Sequence, residues 1–142
     1  MKNSPKLNLL PQSFLALLIL TGLGYLGNYF KLELFFGVDF LFGSIAVMMV
    51  VSFYGIFWGT LVGLIVSSHT YILWAHPYAI IIFTCEACFV AFFLRRRRQN
   101  MVFLDSLYWV LIGIPLVGLF YGAILPIPLQ GAIVIALKQA IN

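Results

Sequence analysis

Apolar residues in this chain come in unbroken stretches, running from Gln12 to about Phe30, about Leu34 to Phe53, Gly55 to Trp74, Pro77 to Leu94, Met101 to about Leu125, and Leu129 to Asn142. Gly, Pro or charged residues separate them. A bilayer helix needs about 20 residues to cross roughly 30 Å of hydrocarbon at about 1.5 Å per residue, and the first five stretches meet that demand. The stretches are continuous rather than alternating, which excludes the period-two pattern of a membrane barrel. The pattern predicts an all-α membrane protein, one compact bundle of about six transmembrane helices occupying residues 1–142 as a single domain. The last stretch, 129–142, is too short to span, so we expect it to continue in a longer protein of which this chain is the front piece.

Composition agrees with this setting. Of 142 residues, 63% are hydrophobic, 17% aromatic and only 8% charged, with a mean hydropathy of +1.09. A water-soluble domain of this size could not bury so much apolar surface. No small-residue cleavage site follows the first run, and further spans do, so it is not a secretory signal. The formal net charge of +4 is concentrated at Lys2, Lys6 and Arg95 to Arg98. Cytoplasmic loops carry the excess of Lys and Arg, which predicts a cytoplasmic amino terminus and a cytoplasmic arginine loop, with the loops near Lys31 and His76 outside. On this path the last helix returns to the cytoplasm. The arginines then serve as a stop-transfer signal and an anchor to anionic lipid, and nothing calls for nucleic acid.

Small residues predict how the helices meet, because lipid supplies no hydrophobic drive for their association and close approach must provide it. Gly55, Gly59, Gly63 and Ser67 recur every four residues in the third run. Gly118 and Gly122 do so in the fifth, and Ala132, Ala136 and Ala140 in the sixth. These stripes are expected to pack inside one bundle, with a homodimer as the other use for them. Pro115 is expected to bend the fifth helix.

Chemistry has few candidates. Glu86 stands about nine residues, roughly 14 Å, from both ends of its run, near the bilayer centre, where an ionised carboxylate is costly. Two readings are open: a neutral acid bonded between helices, or a ligand or proton site. His69, after Ser67 and Ser68, is the nearby basic group at a similar depth, so Glu86, His69 and Ser68 form a candidate ligand site. It is expected in a cavity between the third, fourth and fifth helices, with Pro115 opposite. His76 and Trp74 stand at the outer interface, where aromatic belts form, and are the remaining candidates. Asp105 is expected to pair with the arginine loop. Cys85 and Cys88 lie three apart, but two cysteines without a histidine on the same helix do not make a metal centre, and in a membrane core they read as small apolar fillers. Ser67, Ser68 and His69 are consecutive and cannot face one another as a triad. No catalytic residue, cofactor or metal is expected.

The stretches VDFLFGSIAVMMVVSFYG, SSHTYILWAHPYAIIIFTCEACFVAFFLRRRR and LDSLYWVLIGIPLVGLFYG together resemble the amino-terminal membrane sensor region of bacterial multidomain signalling proteins. The resemblance covers about Val38 to the end of the chain and is most specific at His76 to Glu86 and Leu104 to Trp109. It implies a sensory input module of the bacterial inner membrane that binds a small ligand or reads a membrane signal. The module then controls a cytoplasmic effector in cis, of histidine-kinase or diguanylate-cyclase type, which would hold any enzymatic activity. In helix count and Gly-rich packing the chain is also similar to the S-components of energy-coupling-factor vitamin transporters, which implies solute binding as the alternative.

Overall fold

A chain this apolar must satisfy its backbone polar groups within each segment, which a helix does and an open strand in lipid does not. In the computed structural model, which describes residues 11–30, 32–33, 39–97, 99–125 and 127–141, six helices carry the fold. They are α1 Pro11–Tyr29, α2 Gly43–Tyr54, α3 Ile56–Trp74, α4 Tyr78–Arg97, α5 Met101–Ile124 and α6 Leu129–Ile141. Three segments are long and apolar enough to cross a membrane: α3, Tyr78–Arg96 within α4, and α5. The part of α1 from Phe14 to Tyr29 and the whole of α2 are shorter apolar helices.

The distribution of side chains is that of a protein surrounded by hydrocarbon. Phe14, Leu23, Phe57, Ile72, Val110 and Leu129 are exposed, while Asn28, Ser67, His69, Thr70 and Glu86 are buried. Hydroxyl groups on the helices turn back onto their own carbonyls, as Ser67 does to Gly63 at 2.6 Å and Ser106 to Val102 at 2.9 Å. This removes a polar group from lipid without a partner helix. The chain is therefore a helical, membrane-embedded protein.

One helix departs from the pattern of apolar runs. The second run was expected to be helical from Leu34, but α2 begins only at Gly43 and has 12 residues. Residues 34–38 lie outside the described residues. Ahead of α2, β1 Leu32–Glu33 pairs antiparallel with β2 Asp39–Phe40, Leu32 opposite Phe40 and Glu33 opposite Asp39. Gly37 and Asp39 are poor helix formers, and a short ladder satisfies the backbone where the helix cannot start.

Helix ends follow local chemistry. Gly55 links α2 directly to α3 with φ +82° and ψ −166°, a conformation that L side chains avoid. Asn100 caps α5, its side chain accepting from the Val102 N–H at 2.9 Å. Pro77 and Pro128 stand immediately before α4 and α6, where a missing N–H costs least. α3 packs on α1, α2 and α4, and α4 packs in turn on α5.

Asn28 ties three of these elements together. Its Nδ2 donates to the Val66 carbonyl of α3 at 2.9 Å, and its Oδ1 accepts from the Gly43 N–H at 2.9 Å. The start of α2 has no cap from Phe42, so Asn28 caps it from the neighbouring helix. Glycine completes the junction, because a Cβ at Gly43 would meet the Asn28 side chain.

The small-residue stripe on α3 is internal, as expected, at Gly59, Gly63 and Ser67. A Cβ on Gly59 would lie 2.6 Å from Val51 Cγ2 and one on Gly63 would lie 2.9 Å from Ala87 Cβ. The stripe on α5 is not internal, a correction to the expectation for Gly118 and Gly122. Neither has an atom within 4 Å of an added Cβ. The residues Gly118–Ile124 form a π-helical segment, whose wider turn no longer stacks positions four apart on one face. Two substitutions separate the stripes. Gly63→Ala should lower the melting temperature in detergent, since overpacking typically costs about 1–3 kcal/mol, whereas Gly122→Ala should leave it unchanged. Asn28→Ala should also destabilise, by about 1–3 kcal/mol for the buried Gly43 N–H left without its partner; thermal melting of both variants checks the pair.

Candidate functional site

One face of α4 determines the position of Glu86. Ala79, Ile82, Glu86, Ala87 and Val90 are buried, with Glu86 only 4% exposed, while Cys85 and Cys88 on the other side are exposed. The cysteines thus face outward instead of filling the interior. A lipid-facing carboxyl at this depth would cost about 2.5 to 3.5 kcal/mol on insertion scales, which selects the rotation of α4 that is observed.

Two residues of α5 complete the site. Trp109 Nε1 donates to Glu86 Oε1 at 3.3 Å, and Asp105 lines the same groove as Glu86. One turn away, the Tyr108 hydroxyl donates to the Ile82 carbonyl at 2.6 Å. Asp105 was expected to pair with the arginine loop. It forms no ion pair with Arg95 or Arg96, the side chains of Arg97 and Arg98 lie outside the described residues, and among the described residues its Oδ1 is buried without a hydrogen-bond partner.

The geometry of α5 serves this contact. Its turn from Trp109 to Gly113 is π-helical. Pro115 follows two residues later; it lacks a donor for the preceding turn and crowds the carbonyl there, which the wider turn accommodates. The expected effect of Pro115 thus appears as a widened turn within a helix that continues to Ile124. Trp109 lies over Gly113, where a Cβ would come within 2.5 Å of the indole ring. Glycine at this position lets the indole lie flat on its own helix and reach α4.

Glu86 stands between two spaces. On one side, a small cavity lined by Asn28, Ser44, Met48, Gly63, Ser67 and Glu86 leaves about 20 Å³ for the centres of water-sized molecules, room for about one water. On the other, a groove between α2 and α5 holds Met48, Met49, Ser52, Met101 and Asp105 along its walls and Glu86 at its floor. The expected cavity between the third, fourth and fifth helices is therefore replaced by one among α1 to α4, with the groove reaching α5.

The other candidates are not gathered around Glu86. His69 is buried at the seam of α3 and α1, edge-on to Tyr25 at 5.1 Å and Tyr29 at 5.8 Å between ring centres, with Nδ1 unpartnered. Ser68 is exposed and its hydroxyl donates to the Ile65 carbonyl at 2.6 Å. His76 and Trp74 form an aromatic cluster at the end of the bundle, His76 stacking on Tyr78 at 5.2 Å and on Trp74 at 6.3 Å. Partial burial there holds the His76 imidazole below the usual histidine value, so it is neutral near pH 7. Among the described residues no group of three His, Cys, Asp or Glu side chains could hold a metal.

Sequence reasoning passed over Asp105 and Trp109 as partners of Glu86. Their spacing of four, which places both on one helical face, was the available signal. Comparison with known proteins finds no family model, curated protein or solved structure that matches the chain.

The hydrogen bonding predicts different outcomes for two substitutions of Glu86. Glu86→Gln keeps an acceptor for Trp109, and should melt close to the parent. Glu86→Leu leaves the buried indole N–H unpaired, which costs about 1–3 kcal/mol. Parallel melting curves of the two variants check this, and equal losses would contradict the assigned bonds.

Proposed function

We propose that this chain is the sensory input module of a bacterial signalling protein, a bundle of six helices in the cytoplasmic membrane. The observation that carries the reading is the bond from Trp109 to Glu86. It connects an accessible groove to the widened turn of α5, and α5 in turn supports the last helix. Ile82, Tyr108, Trp109, Val117 and Tyr121 form one buried cluster, and Ile135 and Ala136 of α6 pack against it. A ligand or proton that alters Glu86 therefore acts on the surface against which α6 rests. Two packings of that cluster would bias a cytoplasmic module following α6.

The orientation follows from charge. With the amino terminus and Arg95 to Arg98 inside, α6 descends toward the cytoplasm and the Ala75–Pro77 link faces out.

Two experiments test the proposal. In a background lacking Cys85 and Cys88, a membrane-impermeant thiol reagent added outside should label a cysteine at Ala75 and spare one at Gln99; the reverse would invert the orientation. In the full-length protein, Glu86→Gln should fold normally and lose the regulated change in output of the cytoplasmic module. Wild-type regulation in a stably folded Glu86→Gln variant would leave Glu86 with a structural role and reject the sensor site.

A further inference from the structure

The groove beside Glu86 has a composition that the packing of the bundle does not require. It encloses about 440 Å³ between α2 and α5. Three of the four methionines in the chain, Met48, Met49 and Met101, line it, together with Ile45, Phe53 and Val102. Thioether side chains are flexible and polarizable, and adapt to apolar ligands of irregular shape. The rim is open: Met49, Phe53 and Val102 are 43%, 58% and 71% exposed, so in a membrane the groove is reached sideways from the lipid.

Its floor is acidic. Glu86 and Asp105 both line the groove, and among the described side chains no Lys, Arg or His does. Asp105 Oδ1 is shielded yet accepts no hydrogen bond, a vacancy that buried carboxylate oxygens rarely keep. A carboxylate so placed calls for a positive charge beside it. An anion is repelled by the carboxyl pair, and a neutral hydrocarbon would leave Asp105 Oδ1 unpaired. The hydrated ions of bulk water lack the apolar body that the methionine walls would cover.

We infer that the groove between α2 and α5 binds a lipophilic organic monocation, its charge on Asp105 and Glu86 and its apolar body against Met48, Met49 and Met101. The inference rests on the sensor reading only for its consequence, since it names the class of ligand that would act on Glu86. Binding itself is independent of any output.

The probe is radiolabelled tetraphenylphosphonium, with tetraphenylborate as a control of the same shape and opposite charge. Equilibrium dialysis against the purified protein in detergent should show saturable binding of the cation, and only micelle partitioning of the anion. Asp105→Asn should weaken cation binding by about tenfold or more, the loss of one buried charge contact. Ser52→Phe fills the groove from its exposed wall without touching either acid; it should abolish binding and keep the parental melting temperature, and it serves as the test should Asp105→Asn fail to fold. Absence of saturable cation binding, equal binding of both ions, or undiminished binding by a folded Ser52→Phe variant would overturn the inference. Saturable binding that leaves the output of the full-length protein unchanged would keep the site and reject the sensor reading instead.

Discussion

An ionisable group placed in hydrocarbon must be neutralised, hydrogen-bonded or hydrated by the protein around it. Glu86 imposes that demand at the middle of this bundle. Meeting it sets the rotation of α4, brings Asp105 and Trp109 of α5 against α4, and places the Trp109 ring over Gly113, where no side chain stands in its way. The widened turn next to Pro115 belongs to the same arrangement. Other contacts between α4 and α5 among the described residues include the Tyr108 bond to Ile82 and the stacking of Tyr78 on Phe120.

The opposite side of the bundle solves a related problem in a simpler way. α2 is too short to span the hydrocarbon by itself, and its first N–H is satisfied by Asn28 from α1. The same amide holds α3 through Val66, so α1, α2 and α3 are joined by one residue and by Gly59 facing Val51, while Gly63 facing Ala87 seats α4 on α3. α4 lies between this unit and the pair formed by α5 and α6. The groove at Glu86 is the open part of that boundary, which is where movement of one unit against the other would be felt.

Much of this was legible in the residue pattern. Continuous apolar runs marked the helices, Gly55, Pro77 and Pro128 marked their links, and the stripe at Gly59 and Gly63 marked the α3 interface. Glu86 facing inward followed from the cost of the alternative. The pairings between helices were not legible, because a helical period tells which residues share a face and not which helix that face meets. Asp105 therefore read as a partner for the nearby arginines, and Asn28 as an unremarked amide in an apolar run. His69 was placed with Glu86 on depth alone, whereas the rotation of α3 turns it toward Tyr25 and Tyr29. The late start of α2 was hidden by apolar residues that run without interruption into a two-residue ladder. The outward stripe at Gly118 and Gly122 depended on π turns, which no composition signals.

The central claim is that Glu86, buried at the middle of the bundle with Trp109 bonded to it and Asp105 beside it, holds a proton. The chain has only four Asp and Glu residues, so its carboxyl bands in the infrared are few enough to assign. At neutral pH the account predicts a carbonyl stretch from a protonated carboxylic acid that shifts in deuterated water. That band should move in Asp105→Asn, as the bonding of Glu86 changes, and disappear in the double variant Glu86→Gln, Asp105→Asn. A spectrum in which all four carboxyl groups are ionised at neutral pH, with no protonated-acid band, would contradict it.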